Sequence, residues 1–340
     1  MNVSAAIAKL LEREDLKPLE MREVIEEILA GKATSVQVAG FLVALRAKGE
    51  SVEEIAAACE VLRDKAGISP CETALVDTCG TGGDALNTFN ISTTAAFVVA
   101  AAGARIAKHG NRSVLSPSGS ADVMEAAGVK LDLTPDQVKR CLLEIGIGFL
   151  YAPCYHPALR QVAAVRRELK IKTLFNLLGP LLNPFGASHR LLGVFDARYL
   201  VPMARVLELL GSSHALVVHA EDGLDEISLS SPTQVAELKA GEVKTYVITP
   251  EQFKIARAPL AAIQVNSVAE SLEVMRRVLA GEPGPASDIV ALNAGAALYA
   301  ADLADSLAGG VEMARSVLAK GLGLEKLNAL IRWTNADEPS

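Results

Sequence analysis

The stretch VDTCGTGGDALNTFNIST, residues 76–93, joins a strand-like apolar run to a helix-like apolar run through a glycine-rich loop. The spacing Gly80-x-Gly82-x-x-Ala85 matches the fingerprint of dinucleotide-binding folds. In those folds the helix begins almost at the third small residue, whereas here the helical pattern begins only around Ile91. No Lys-Ser or Lys-Thr pair ends the loop, so the P-loop pattern fails as well. The glycines of the loop are expected to expose backbone N–H groups, which favour an anionic ligand. The alternative interpretation is an ordinary glycine-rich turn that binds no ligand.

Outward from this loop, short apolar runs alternate with helical patterns. The runs ALVDTC, ARIAKH, GFLYA, LLGVF and ALVVHA predict strands, and a hairpin is expected around Gly241. Strands that alternate with helices predict a parallel sheet covered on both faces. In such sheets ligands bind at the carboxyl ends of the strands, which is where the glycine-rich loop begins.

Residues 1 to about 66 carry helical patterns only, including a Ser51-x-x-Glu54 capping box. The predicted fold class is therefore α/β, with a small N-terminal helical domain joined to a larger α/β domain whose central sheet is mainly parallel. We place the boundary at residue 70, which gives a helical domain over 1–70 and an α/β domain over 71–340. A last helical region follows Val268 and is interrupted by GEPGPAS.

Composition limits the classes of function. Half of the 340 residues are hydrophobic but only 4% are aromatic, which predicts an aliphatic core. The net charge of -7 disfavours nucleic acid as a partner. The five scattered cysteines predict neither a disulfide framework nor a zinc site. The first residues lack the apolar region of a signal peptide, and the longest apolar tract is too short to span a membrane, so we expect a cytoplasmic protein without membrane contacts.

A second polar loop, KHGNRSVLSPSGSAD over residues 108–122, follows the next predicted strand. It offers Lys108, His109 and Arg112 as cations, together with four serines and two glycines. Because adjacent parallel strands end at the same edge of a sheet, both loops should border one cleft. Backbone N–H donors on one side and cations on the other suit a pyrophosphate with a phosphate. A lone Lys108 or Arg112 is more often a solvated surface charge.

Two further elements carry charge in places that favour a function. The run EDGLDE supplies Glu221, Asp222, Asp225 and Glu226 just after a strand, where carboxylates near an anion suit Mg²⁺; a solvated acidic loop is the commoner alternative. Arg166 shares a helical stripe with apolar neighbours, so it needs an anionic partner, either a structural salt bridge or a substrate carboxylate. The remaining histidines, His156, His189, His214 and His219, are interpreted as structural.

Taken in this order, the motifs resemble those of the anthranilate phosphoribosyltransferase family of tryptophan biosynthesis. The matching segments are GTGGD (80–84), NIST (90–93), KHGNR (108–112), SGSAD (118–122), VRRELKIKTLFNLLGPLLNP (165–184) and DGLDE (222–226). The resemblance implies transfer of phosphoribose from phosphoribosyl pyrophosphate to the amine of anthranilate, with inversion at C1. It also implies a homodimer, two Mg²⁺ ions in each active site, and a return of the helices near residues 165–185 to the helical domain.

The resemblance further implies a role for individual residues. Lys108, His109 and Arg166 would act in catalysis. Anthranilate would contact Gly80, His109, Asn111, Arg166 and Pro180. Mg²⁺ would be held by Ser92, Asp225 and Glu226. Phosphoribosyl pyrophosphate would be surrounded by Gly80, Gly83, Asp84, Thr88, Asn90, Ile91, Ser92, Thr93, Lys108, Gly110, Asn111, Arg112, Ser113, Ser116 and Ser120.

Two alternatives stay open at this point. A pyrimidine nucleoside phosphorylase has a similar fold, although KHGNR and DGLDE argue against it, and it would act on thymidine or uridine with phosphate. A non-catalytic relative that binds nucleic acid is expected to carry a basic surplus and to lack the Asp225-Glu226 pair, whereas this chain is acidic and has the pair.

Overall fold

A computed structural model describes residues 1–71, 73–82, 86–113 and 117–336 of the chain. The strands in these residues are β1 Val76–Gly80, β2 Ile106–Gly110, β3 Ile147–Tyr151, β4 His189–Gly193, β5 His214–Ala220, β6 Thr233–Lys239 and β7 Glu242–Ile248. The α-helices are α1 Val3–Leu11, α2 Pro18–Leu29, α3 Ser35–Lys48, α4 Val52–Ala66, α5 Ile91–Ala101, α6 Ser120–Ala127, α7 Pro135–Ile145, α8 Ala152–Tyr155, α9 Arg160–Leu169, α10 Leu174–Leu178, α11 Leu200–Leu209, α12 Val268–Leu279, α13 Pro285–Ala300, α14 Leu307–Ala319 and α15 Leu322–Asn335.

The strands form one seven-stranded sheet in the order β3-β2-β1-β4-β5-β6-β7. Strands β3, β2, β1, β4 and β5 are mutually parallel, and β6 and β7 add an antiparallel hairpin at one edge. The predicted fold class, with its mainly parallel sheet, is confirmed. The hairpin turn uses Ala240 and Gly241, both at positive φ, a conformation that suits the tight connection of two twisted strands.

Alternate residues of the central strands pack on opposite faces of the sheet. Leu191 and Leu216 face the cluster built on α5 and α12–α15, whereas Leu192 and Val217 face the cluster that contains α1–α4. This period of two is the expected pattern for a strand buried on both sides. The sheet is therefore sandwiched between two helical layers of unequal size.

The first four helices do not pack only with one another. Side chains of α9 and α10 (Val162, Val165, Leu174 and Phe175 among them) lie in the same hydrophobic cluster as α1–α4. Helix α4 begins with the expected capping box, since Ser51 Oγ accepts from the Glu54 backbone N–H at 3.2 Å and Glu54 Oε2 accepts from Ser51 N–H at 2.8 Å. It ends at Gly67, in the left-handed conformation. The division of the chain at residue 70 stays a prediction.

The local sequence signals locate most element boundaries to within a few residues. Helix α5 begins at Ile91, far from Gly80, as the late onset of the helical pattern predicts. A strand and helix separated by such a long loop do not form a dinucleotide-binding turn. None of the helices in the described residues is long and apolar enough to cross a membrane.

Candidate active site

The two polar loops leave neighbouring strands at the same edge of the sheet. Strand β1 ends at Gly80 and is paired with β2, which ends at Gly110. The β1 loop leads to the first turn of α5, and the β2 loop leads to the first turn of α6 at Ser120. The carboxyl ends of the parallel strands thus bring the two loops together, as the sequence predicts.

Asn90 and Ser118 join the two loops directly. Asn90 Nδ2 donates to the Ser118 carbonyl at 3.2 Å, and Ser118 Oγ donates to Asn90 Oδ1 at 2.7 Å. Ser271 of α12 also donates to Asn90 Oδ1, at 2.7 Å. Of the other predicted residues here, Thr88 forms a bridge with Gln264, Ile91 is buried, and the carbonyl of Ser92 accepts from Thr78 Oγ1 at 3.1 Å.

Asp225 is the carboxylate that faces the end of β1. It is buried, and its Oδ2 accepts from the Gly82 backbone N–H at 2.7 Å. A Cβ atom at Gly80 would lie 2.4 Å from Asp225 Oδ2, and one at Gly193 would lie 1.5 Å from the Asp225 carbonyl oxygen. A side chain at Gly193 would therefore displace the backbone of this loop, and one at Gly80 would displace the Asp225 carboxylate.

The other acids of the EDGLDE run have different environments. Asp222 Oδ2 accepts from Ser228 Oγ at 2.5 Å and from Ser230 Oγ, so it stabilises its own loop. Glu221 is exposed and Glu226 is partly buried beside Asp225 in the chain. The described residues contain no cluster of three His, Cys, Asp or Glu side chains arranged as a metal site. The donors present, two carboxylates and a hydroxyl, fit Mg²⁺, which takes few protein ligands and completes its shell with phosphates and water.

Lys108 is buried within the sheet and is not a surface cation. Its Nζ donates to the Thr78 carbonyl of β1 and to the His109 carbonyl, the latter at 3.4 Å. Burial of an ammonium group requires such acceptors. The position of Lys108 on β2 next to β1 therefore places positive charge close to the end of β1.

His109 is neutral, so the interpretation of this residue as a cation is wrong. Burial, with His156 and Lys108 as neighbours, lowers the pKa of His109 to about 3. Its Nδ1 lies 3.2 Å from the Gly179 carbonyl oxygen, so the proton of the neutral ring is on Nδ1. The other ring nitrogen, Nε2, is buried and has no hydrogen-bond partner in the described residues.

The charge of Arg112 is paired within its own loop and the following helix, whereas the sequence predicts that it faces the cleft. Its guanidinium pairs with two acids of α6, Asp122 at 3.0 Å and Glu125 at 2.8 Å, and stacks over Tyr151. Nearby, the Asn111 N–H donates to Ser120 Oγ at 3.2 Å, and the Ser113 N–H donates to Asp122 Oδ2 at 3.2 Å. These contacts order the loop itself, and Arg112 must exchange its partners before it can bind a phosphate.

Arg166 lies on α9, and no acid among the described residues pairs with its charge. Its guanidinium is half-buried 5.7 Å from the centre of the Phe175 ring, and within the described part of the chain it has neither an ion pair nor a hydrogen bond. Burial lowers the pKa of Arg166 from its usual value, with no acid opposing the shift. Of the two partners that the sequence allowed, a structural salt bridge is thus absent from the described residues. The adjacent Arg167 is exposed.

Gly83, Asp84 and Ser116, which the sequence predicts at the site, lie outside the described residues. Other predicted site residues are described but form few polar contacts. Pro180 is buried in the short turn Gly179–Leu181, and a Cβ atom at Gly110 would lie 2.4 Å from Ser120 Oγ. Thr93 Oγ1 is buried without a hydrogen-bond partner among the described residues.

Beneath the site lies a polar group of residues that the sequence interpretation missed. Asp77, Asn183 and Arg190 are each 1% exposed, and Asn183 Nδ2 donates to Asp77 Oδ2 at 2.8 Å. The signal that could have revealed them is a charged residue inside each of two apolar strands. Asp77 and Arg190 are register partners on β1 and β4.

Comparison with known families agrees with this architecture. Residues 4–66 match the helical bundle domain of a glycosyl transferase family, and residues 72–324 match its a/b domain. The fold and the site therefore define a two-domain glycosyl transferase.

Known relatives narrow this class. An anthranilate phosphoribosyltransferase of Methylococcus capsulatus is 57% identical to the chain over 97% of each sequence. The structure of anthranilate phosphoribosyltransferase from Thermus thermophilus has a TM-score of 0.91 at 44% identity and covers 97% of this chain and 99% of that one. The Saccharomyces cerevisiae enzyme in complex with PRPP and Mg has a TM-score of 0.89 at 26% identity and covers 98% of this chain and 97% of that one. The chain belongs to the anthranilate phosphoribosyltransferase family.

The neutral state of His109 has a measurable effect on stability. Its folded pKa of about 3 lies below the unfolded value of about 6.5, so below pH 6.5 the unfolded chain binds a proton that the native protein does not. The contribution of His109 to the free energy of unfolding is therefore fully present above pH 6.5. It falls as the pH drops, by up to about 1.4 kcal/mol per pH unit. We expect the difference in free energy of unfolding between wild type and His109→Asn to shrink between pH 6.5 and pH 4.5. A difference that is constant over this range contradicts a neutral, buried imidazole.

Proposed function

We propose that phosphoribosyl pyrophosphate reacts with anthranilate in a cleft at the ends of β1 and β2, with Arg166 of α9 on its acceptor side. The products are N-(5-phosphoribosyl)anthranilate and pyrophosphate, in the biosynthesis of tryptophan. The observation that carries the acceptor assignment is the half-buried guanidinium of Arg166, which lacks an anionic partner in the described residues. A carboxylate next to the reacting amine supplies that partner.

Phosphoribosyl pyrophosphate occupies the loop side of this cleft. The support is the hydrogen-bonded junction of the two loops at Asn90 and Ser118, and the yeast relative that binds PRPP and Mg. The buried Lys108, whose Nζ donates to the Thr78 carbonyl near the end of β1, supplies positive charge that favours an anion here. The proposed contacts are Gly80, Gly83, Asp84, Thr88, Asn90, Ile91, Ser92, Thr93, Lys108, Gly110, Asn111, Arg112, Ser113, Ser116 and Ser120.

Mg²⁺, at two ions per site, is the proposed cofactor, with Ser92, Asp225 and Glu226 as its protein ligands. The bound ions supply charge neutralisation for the pyrophosphate leaving group. Asp225 is the best supported ligand, because its buried carboxylate faces the end of β1. The relative that binds PRPP with Mg supports the choice of metal.

The protein's part in the reaction is to orient the acceptor and to stabilise charge. The amine lone pair of anthranilate attacks C1 of the sugar, the bond from C1 to the pyrophosphate oxygen breaks, and the configuration at C1 inverts. An aromatic amine is already neutral at pH 7, so the attack needs no strong base, and the lost proton goes to solvent. In the proposed geometry Gly80, His109, Asn111 and Pro180 border the acceptor, and Arg166 holds its carboxylate. The neutral His109 adds no charge that would oppose the positive sugar.

The direct test follows the fluorescence of anthranilate after the protein is mixed with phosphoribosyl pyrophosphate and Mg²⁺. We expect a decay that requires all three components, with pyrophosphate released in step. No decay, with phosphoribosyl pyrophosphate still bound in calorimetry, would show that the donor site is correct and the acceptor is a different amine or a nucleobase.

Replacement of Arg166 by Ala tests the carboxylate assignment. Loss of a charged hydrogen bond of about 1.5–3 kcal/mol is expected to raise the KM for anthranilate about ten- to hundredfold and to leave the KM for phosphoribosyl pyrophosphate nearly unchanged. Arg167→Ala is the matched control, because this neighbour is exposed and points away from the apolar side of α9. Equal effects of Arg166→Ala on both KM values would refute the assignment.

Replacement of Asp225 by Asn tests the metal site. The amide oxygen can still accept from the Gly82 N–H, so the change removes charge with little change in shape. We expect the Mg²⁺ concentration for half-maximal activity to rise about tenfold, since a hard cation loses one carboxylate ligand. Glu221→Gln, an exposed acid of the same loop, should leave it unchanged. An unaltered Mg²⁺ requirement in Asp225→Asn argues against this ligand.

A homodimer built on the N-terminal helices is also proposed. Leu11, Leu19, Val36 and Val43 of α1–α3 are all large apolar side chains that are exposed, Val36 at 81%. We expect Val36→Glu to give a monomer in light scattering, whereas Val201→Glu, at an exposed position on α11, leaves a dimer. A wild-type monomer at micromolar concentration would exclude this interface.

The proposed location is the cytoplasm. All five cysteines are free thiols, which is the state that a reducing compartment maintains. Cell fractionation beside a cytoplasmic marker enzyme tests the location, and recovery of the protein in an oxidising compartment would contradict it.

A further inference from the structure

The short turn that contains Gly179 and Pro180 is held in an unusual way. Each of four successive carbonyl oxygens lies within hydrogen-bond distance of a side-chain nitrogen from a different part of the fold. These contacts, hereafter the carbonyl clamp, are His109 Nδ1 to Gly179 at 3.2 Å, Arg190 Nη1 to Pro180 at 2.7 Å, Arg63 Nη2 to Leu181 at 2.9 Å and His156 Nε2 to Leu182 at 3.0 Å.

The clamp joins the helical layer to the sheet at one point. Arg63 belongs to α4, whereas Arg190 and His109 belong to β4 and β2. The turn therefore cannot move relative to either layer without loss of a donor. A carbonyl that has lost its donor in a buried place is costly, so the clamp holds the turn rigidly.

Asp77 connects the clamp to the backbone of His109. One oxygen of its carboxylate accepts from the His109 N–H at 3.2 Å, and the other lies 3.9 Å from Arg190 Nη1. Asn183, which follows the turn, donates to the same second oxygen. The Asp77 carboxylate of β1 thus interacts with three chain segments, at His109, Asn183 and Arg190.

Stability is a weak explanation for this arrangement. Arg190 and Asp77 are both 1% exposed, and the Nε and Nη2 atoms of Arg190 have no hydrogen-bond partner in the described residues. A buried ion pair is often no more stable than an apolar pair of the same volume, because desolvation opposes the attraction between the charges. What the pair provides, and an apolar pair cannot, is a defined distance between the Pro180 carbonyl and the His109 backbone.

We propose that Asp77 and Arg190 are positioning residues for the aromatic acceptor. Arg190 holds the Gly179–Pro180 segment against His109, and Asp77 holds Arg190 and the His109 backbone in register. This inference rests on the proposed function, in which His109 and Pro180 border anthranilate. The hydrogen bonds of the pair reach the proposed acceptor side, at the Pro180 carbonyl and the His109 backbone, whereas Asn90, Ser118 and Asp225 connect the loops on the donor side.

The test uses full-length protein and measures both KM values with three variants. Arg190→Met with Asp77→Asn removes the clamp bond together with both charges of the pair, so that neither member is left buried without the other. Arg190→Lys keeps the cation and one donor, and so serves as the conservative variant. Arg205→Met, which removes an exposed arginine paired with Glu208 on α11, is the matched control.

We expect the double variant to raise the KM for anthranilate about tenfold, equivalent to about 1.4 kcal/mol, while the KM for phosphoribosyl pyrophosphate changes less than about twofold. Arg190→Lys should recover part of the loss, and Arg205→Met should behave as wild type. Equal changes in both KM values, no change in either, or failure of the double variant and Arg190→Lys to fold would each overturn the positioning role in favour of a structural one. An inactive wild type that does not bind anthranilate would overturn the proposed function, and this inference with it.

Discussion

The parallel pairing of β1 with both β2 and β4 is the constraint on which the rest of the site depends. It brings Gly80, Gly110 and Gly193 to one edge of the sheet, where the backbones of three strands end side by side. The loops that follow can then share one cleft. The absence of side chains at these ends matters as much as their position, because any Cβ at Gly80 or Gly193 would meet Asp225.

Charge in the site is arranged by burial and by local pairing. Lys108 is buried and donates to carbonyl oxygens, and His109 is neutral. Arg112 forms ion pairs with acids of α6, whereas Arg166 has no acidic partner in the described residues. A count of basic residues in KHGNR would therefore overestimate the positive charge that faces the cleft. In the proposed assignment, Arg166 marks the acceptor end of the site, and Lys108 and Asp225 mark the donor end.

The helical layer and the sheet both contact the turn that contains Gly179 and Pro180. Helices α9 and α10 pack in the same cluster as α1–α4, and the turn after α10 is bound by side chains from α4, β2 and β4. The carbonyl clamp is the point at which both layers hold one turn, because donors of the sheet contact the Gly179 and Pro180 carbonyls and Arg63 of α4 contacts the Leu181 carbonyl.

The sequence by itself determined the order and type of the elements, the helical first region, the β6–β7 hairpin and the two strand-end loops, because these depend on local periodicity, caps and glycines. It also indicated that Arg166 shares an apolar stripe and that Asp225 follows a strand. Only the tertiary structure decided which charges are paired. The protonation of His109, the capture of Arg112 by Asp122 and Glu125, and the meeting of Asp77 with Arg190 all depend on burial and on contacts between residues distant in the chain, which no local pattern records.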